Sequence, residues 1–130
     1  MTATIRGIQK AQKANSAHIR ALRPGGALGL AVQAGLILTH QSAIRKTHVD
    51  TGALRASHRM RYEFTAAGPR GVIFIDPNAE NPRSGEKTAV YGPIEHARGG
   101  EHAFYARVRD EDGPRISRAV AREFLRGFAQ

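Results

Sequence analysis

The sequence predicts a single α+β domain of 130 residues, with amino-terminal helices, a small antiparallel β-sheet and a carboxy-terminal helix. Apolar residues recur at helical spacing within residues 1–47 and again near the carboxy terminus. Between these two regions apolar and polar residues alternate, which is typical of half-buried strands. We therefore expect residues 1–47 to form a helical arm and residues 48–130 to form the sheet and the last helix.

Two helices are predicted in the amino-terminal arm. The first covers about residues 2–22, and its apolar stripe, which includes Ile8 and Ile19, is thin enough to require a partner. The segment 23–26 contains a proline and two glycines and ends this helix. The second helix covers about residues 27–46. Its first half is apolar nearly all round, which indicates burial in the core or against another subunit.

The predicted sheet begins where the spacing of apolar residues changes to two. Residues 58–65 alternate between apolar and charged side chains and predict a half-buried strand. A turn at residues 67–70 leads to a return strand at 71–75, which is apolar on both faces and is therefore expected to be central. Residues 76–88 are polar and contain two prolines, so we expect an exposed loop that becomes ordered only against a neighbouring subunit.

The last third of the chain predicts two further extended segments and a helix. Residues 89–91 are expected to form a short extended piece, and the alternation along residues 104–109 predicts another strand. The acidic residues 110–112 precede Pro114, a combination that favours the start of a helix. We therefore expect the last helix to begin at Pro114 and to end near residue 127.

The charge of the protein is unevenly distributed. The formal net charge is +9; residues 1–75 hold 11 Lys and Arg residues against two acids, and the first 49 residues hold no acid. This asymmetry favours an anionic partner for the amino-terminal half, such as nucleic acid, a membrane surface or an acidic protein, although a solvated basic surface would look the same. The candidate DNA-facing or docking residues are Arg6, Lys10, Lys13, Arg20, Arg45 and Lys46.

Composition also excludes several classes of protein. The absence of cysteine rules out disulfides and thiolate metal sites. No run of apolar residues approaches the roughly 20 needed to cross a bilayer, and nothing near the amino terminus resembles a secretory signal. We expect a protein that is made inside the cell and does not insert into a membrane.

One short motif, Asp50-Thr51-Gly52, invites a catalytic interpretation. Aspartic proteases use two aspartates in this setting that share one proton, and a single copy supplies half of such a site. Basic residues 45–46 precede the motif here, where those enzymes have an apolar strand. The simpler interpretation is that Asp50 or Thr51 caps a short helix and that Leu54 anchors the turn. We therefore predict no catalytic residue.

The six histidines are candidate metal ligands. The only dense cluster along the sequence pairs Glu95-His96 with Glu101-His102, and this spacing fits neither a helical zinc motif nor a zinc finger. Exposed loop histidines are the simpler interpretation. No glycine-rich phosphate loop and no serine nucleophile motif is present in the sequence. We therefore predict neither a metal site nor a cofactor.

Residues 49–57 closely resemble the motif V-D-T-G-x-L-R-x-S of a siphophage neck family, whose members are head–tail joining, tail-completion or minor tail proteins. The order and spacing of later features is similar over about residues 48–128. The residues that carry the resemblance are Val49, Asp50, Thr51, Gly52, Leu54, Arg55, Ser57, Tyr91, Glu95 and Phe104. The resemblance implies that these residues are structural.

The resemblance also implies a function. It predicts a non-enzymatic subunit of the bacteriophage head-to-tail interface, which forms a homo-oligomeric ring in the virion neck and is made in the host cytoplasm. The implied partners are connector or portal-side proteins, tail terminator or tail-tube proteins and, non-specifically, packaged DNA. A small basic nucleic-acid-binding protein is the alternative. The predicted interface loop contributes Asn78, Glu80, Arg83, Glu86 and Lys87.

Overall fold

A computed structural model describes residues 5–48 and 52–128 of the chain. It confirms the α+β class, with helices at both ends and one small antiparallel sheet between them. The elements, in chain order, are α1 (Ile5–Leu22), α2 (Ala27–Lys46), α3 (Ala53–Ala56), β1 (His58–Thr65), β2 (Gly68–Ile75), α4 (Thr88–Ala97), a 3₁₀ turn (Gly100–His102), α5 (Phe104–Arg107), a π-helical turn (Val108–Asp112) and α6 (Gly113–Phe128).

Helix α2 is the centre of the fold, because the sheet packs on one of its sides and α6 on another. Small residues allow these close approaches. A Cβ atom at Gly35 would lie 2.4 Å from Val120 Cγ2 of α6, and one at Gly71 of β2 would lie 2.9 Å from Leu36 Cδ1. The predicted limits of α2 are confirmed, since the proline and glycines before it and Thr47 after it end the helical pattern.

The sheet is a single hairpin, and it differs from the prediction in two ways. Its register runs from His58↔Ile75 to Thr65↔Gly68, so β2 already includes residues that were assigned to the turn. The prediction that β2 is central is wrong, because the sheet of the described residues has only two strands. The outer face of β2 is instead half-exposed, and the Arg61 guanidinium lies 5.5 Å from the centre of the Phe74 ring there.

Both predicted extended segments after the loop are helical, so those predictions are wrong. Residues 89–91 lie in α4, which continues through Pro93. The segment 104–109 begins a helical stretch that leads into α6, ten residues before the predicted start at Pro114. Phe104 and Val108 are its two buried residues, and their spacing of four fits a helix as well as the alternation fits a strand. A π-helical turn lies just before Pro114, whose nitrogen cannot donate a hydrogen bond.

Residues 76–88 form an irregular loop whose residues are mostly exposed, as expected. The single chain already closes this loop on itself. Lys87 Nζ lies 2.8 Å from Glu80 Oε1, and Asn81 N–H donates to the Glu86 carbonyl oxygen at 2.8 Å. These contacts within one chain are ones that the polar composition alone did not indicate.

Helix α1 packs on the rest of the molecule only through its carboxy-terminal part. Ala21 is its one buried residue and Ala17 is half-buried, whereas every other residue from Gly7 to Leu22 is exposed. The side chains of residues 5 and 6, including the candidate Arg6, lie outside the part of the chain that the structure describes. By length and composition, one helical stretch within Gly7–Lys46 is apolar enough to cross a membrane, a test that core helices such as α2 also pass.

Candidate functional site

The candidate site lies at the junction between α2 and the sheet, where the motif residues 49–57 are found. Val49, Asp50 and Thr51 lie outside the described residues, so the predicted cap is not tested. Gly52 has φ +84°, a left-handed conformation that favours glycine, and its carbonyl oxygen accepts the Ala56 N–H at 2.9 Å. The motif glycine therefore starts α3 for a conformational reason.

The remaining motif residues hold this junction together. Leu54 is buried, and its side chain and that of Ile75 both contact Gly92 of α4, where a Cβ atom would lie 3.1 Å and 2.4 Å from them. The Ser57 hydroxyl donates to the Leu54 carbonyl oxygen at 2.7 Å. Arg55 Nη2 donates to the Thr47 carbonyl oxygen at 3.0 Å and so connects α3 to the end of α2. These contacts support the structural role that the resemblance implies.

A buried polar network lies beneath the junction, around His58. The Thr47 hydroxyl donates to the Ala43 carbonyl oxygen at 2.7 Å, so it accepts the Nε2–H of His58 at 2.6 Å. The Tyr105 hydroxyl then donates to His58 Nδ1 at 3.0 Å. Burial, followed by the nearby His40 and Arg59, lowers the pKa of His58 from 6.5 to about 4. His58 is therefore a neutral structural group at pH 7.

This network predicts a loss of stability in acid. Between pH 6.5 and about 4 the unfolded chain binds a proton at His58 that the folded chain does not bind. The stabilising contribution is complete above pH 6.5 and is lost as the pH falls through this window, by about 1–3 kcal/mol in total. Urea unfolding at pH 7 and pH 4.5 should show a smaller loss for His58→Gln than for the wild type. Equal losses in both proteins would contradict this assignment, and His18→Gln, on an exposed residue, is the control.

A cavity of about 560 Å³ opens beside the junction and brings two predicted sets of residues together. The motif contributes Gly52, Leu54, Tyr91 and Glu95 to its wall. The loop contributes further lining residues, which are Asn81, Arg83, Ser84 and Glu86. The motif residue Phe104 is instead in the core, 1% exposed, with its ring 5.4 Å from that of His58 and 5.2 Å from that of His96.

The candidate basic side chains that the structure describes do not form one surface. Lys10, Lys13 and Arg20 are exposed on α1. In contrast, Lys46 pairs within the same chain with Asp112 at 3.5 Å and with Glu111 at 3.7 Å. Arg45 is 3.9 Å from the same Asp112 carboxylate. The acidic residues 111 and 112 therefore pair with the basic end of α2 within one chain.

Three potential metal ligands meet at the edge of the cavity. They are His48, Glu95 and His102, with one ligand atom of each within 4.8 Å of the others. Of the cluster that the sequence indicated, Glu95 and His102 come together, but His96 turns away and accepts the Ala106 N–H at 3.2 Å. Sequence reasoning missed His48, because no local pattern connects it to residues that meet it only in the folded chain.

The site thus combines a structural junction, a cavity and a cluster of side chains of the types that bind metal ions. Comparisons with protein-family models, with curated proteins and with solved structures found no match to this chain.

Proposed function

We propose that this protein is a structural subunit of a bacteriophage head-to-tail interface, which assembles into a homo-oligomeric ring and acts through protein–protein contacts without catalysis. The proposal starts from the resemblance of residues 49–57 to the neck-family motif. The observation that carries it is the unpartnered apolar face of α1. The ring would join connector or portal-side proteins to tail terminator or tail-tube proteins.

Helix α1 turns its larger apolar residues away from its own chain. At about 100° per residue, Ile8 and Ile19 lie on the side of the helix opposite to Ala17 and Ala21, which contact the body. Ile8 is 58% exposed and Leu22 is 55% exposed. An isolated helix of 18 residues is marginally stable in water, and apolar contacts on one face supply most of the stability of such helices in proteins. A neighbouring subunit is the partner that this face fits.

A second, different apolar surface lies on the outer side of α2. Leu30 and Ile37 are exposed and follow one stripe of the helix. A shallow groove of about 280 Å³ beside them runs between α2 and α6 and is lined by Ala34, Ile37, Leu38, Gln41, Ala119, Arg122 and Glu123. When one surface of a chain binds a different surface of the next copy, the contact is head-to-tail and closes into a ring if the rotation permits. We therefore propose that α1 of one copy packs on α2 of the next.

The test is a substitution in the apolar stripe. Ile19→Asp removes the roughly 1.5–3 kcal/mol of free energy that burial of this side chain would contribute to each contact between copies. It also introduces a charge there, so the association constant should fall by at least tenfold. Sedimentation analysis over a range of concentrations should show oligomers of the wild type and a folded monomer of the variant. Unfolding of the monomer should stay unchanged, because residue 19 is exposed in the single chain.

Lys10→Asp is the matched control, since it places the same side chain on the opposite face of α1 and should leave the oligomer intact. Wild-type protein that remains monomeric at every concentration would contradict the ring proposal. An Ile19→Asp variant that assembles like the wild type would show that α1 takes no part in the contact.

A small basic nucleic-acid-binding protein is the second candidate. It is favoured by Lys10, Lys13 and Arg20, which share one side of α1 and are all exposed. If these three residues neutralise three phosphates, the logarithm of the DNA-binding constant should fall with the logarithm of the salt concentration at a slope of only about −2.7. Such weak binding also suits the ring subunit, because a channel through which DNA passes needs a diffuse positive field and no tight contact. Nanomolar binding to duplex DNA near 100 mM salt would support this candidate over the ring subunit.

A further inference from the structure

We propose that His48, Glu95 and His102 bind a divalent transition-metal ion, with Zn²⁺ as the preferred ion, and that this ion ties the end of α2 to α4. His48 follows the last turn of α2, Glu95 lies on α4, and His102 ends the 3₁₀ turn. Two imidazole nitrogens and one carboxylate oxygen are the donor set of zinc sites with three protein ligands. The proposal does not depend on the ring function.

The three side chains are close to the arrangement that Zn²⁺ requires. Bonds of about 2.0–2.1 Å in a tetrahedron place ligand atoms roughly 3.3 Å apart. His102 Nδ1 and Glu95 Oε1 are already in direct contact. The ring centres of His48 and His102 are 5.0 Å apart, and the His48 side chain is exposed. A shift of the His48 ring nitrogen by about 1–2 Å, together with separation of His102 Nδ1 and Glu95 Oε1 to roughly 3.3 Å, would bring all three ligand atoms to bonding distance, with bonds to the ion in place of the present hydrogen bond.

A neighbouring side chain holds Glu95 in the orientation that metal binding needs, and a second carboxylate lies near His102. Arg98 Nη1 donates to Glu95 Oε2 at 3.1 Å, so the second carboxylate oxygen, Oε1, remains directed at His102. His102 Nε2 lies 3.8 Å from Glu101 Oε1. Histidines that bind a metal through one nitrogen usually donate the other ring N–H to a carboxylate or a carbonyl oxygen. The present 3.8 Å exceeds a hydrogen bond, and a small shift of the exposed Glu101 side chain would let it accept that N–H while Nδ1 binds the ion.

The three side chains lie where a bound ion would connect the start of the motif to α4. His48 and Glu95 both line the cavity of about 560 Å³, so a water molecule can complete a four-coordinate ion from that side. The motif begins one residue after His48, and Glu95 is itself a motif residue. A bound ion would therefore fix the entry to the motif against the helix that covers it. This inference departs from the expectation of no metal site, which was drawn from sequence spacing alone.

Titration of untagged, chelator-treated protein with Zn²⁺ tests the proposal. We expect one ion per chain, a raised midpoint of thermal unfolding when Zn²⁺ is present, and the visible absorption bands of a tetrahedral site when Co²⁺ replaces it. His48→Asn, Glu95→Gln and His102→Asn should each weaken Zn²⁺ binding by at least tenfold. Glu101→Gln should weaken it by a smaller factor, because this residue only orients His102.

Two controls separate this site from adventitious binding. His18→Asn changes an exposed histidine on α1, outside the cluster, and should bind Zn²⁺ like the wild type. His48→Asn is the decisive ligand variant, because residue 48 is exposed and its loss should leave the metal-free fold unchanged. Absence of stoichiometric binding, or equal affinity of the His48→Asn and His18→Asn proteins, would overturn the proposal. Neither result would bear on ring assembly.

Discussion

Phe104→Ala is expected to lower the free energy of unfolding by about 3–5 kcal/mol. Phe104 is 1% exposed, and its ring lies against Tyr105 at 4.6 Å and against His58 and His96 at slightly longer distances. Truncation to alanine leaves a cavity among groups that are fixed by hydrogen bonds, so the surroundings cannot close over it. Urea unfolding of the purified chain measures the loss.

Phe64→Ala is the matched control for this prediction. Phe64 lies on β1 and is 39% exposed, so the same truncation removes less burial and leaves no enclosed cavity. Its cost should be clearly smaller than that of Phe104→Ala. Similar losses for the two variants would show that Phe104 is not the centre of a packed cluster.

Leu54→Ala should lower the free energy of unfolding by about 2–5 kcal/mol. Leu54 is 6% exposed and contacts the α4 helix at Gly92, which also receives Ile75. Alanine would separate the motif from the helix that covers it. Leu125→Ala, at a residue that is 63% exposed, should cost little and serves as the control.

Asp50→Asn separates the structural interpretation of this motif from a catalytic one. An amide caps a helix about as well as a carboxylate, so we expect this variant to keep both its stability and its assembly. An aspartic protease would show the reverse order of effects, with the asparagine variant inactive and the Leu54→Ala variant only less stable. Peptide cleavage that disappears in Asp50→Asn would refute the structural interpretation.

The parts of the fold that the sequence predicted are those with unambiguous local signals. Proline and glycine separate α1 from α2, and strict alternation from residue 58 places β1 at its observed position. Segment 104–109 carried an ambiguous signal, because Phe104 and Val108 satisfy both a strand pattern and a helical one. Packing against α2 decides in favour of the helix, and tertiary contacts of this kind are not visible in a short window.

The candidate site was predictable only in part, for a similar reason. The resemblance grouped Leu54, Tyr91 and Glu95, and the structure places all three around one cavity. His48 joins Glu95 and His102 only through the folding of α4 and the 3₁₀ turn beside the end of α2. The pairing of Lys46 with Asp112 arises in the same way, because the π-helical turn places its acidic residues beside that end. Such groupings depend on long-range packing, which spacing along the chain does not encode.

If α1 packs on a neighbouring copy as proposed, its order depends on the concentration of the protein. A helix that buries one residue in its own chain is stabilised little by that chain. Contact with a neighbouring copy would stabilise the helical state of α1. By mass action, dilute subunits would carry a frayed amino-terminal segment beside an intact core, and concentrated subunits a continuous helix. Folding of the body and completion of the arm would then be separate events, with the second reserved for the moment of assembly.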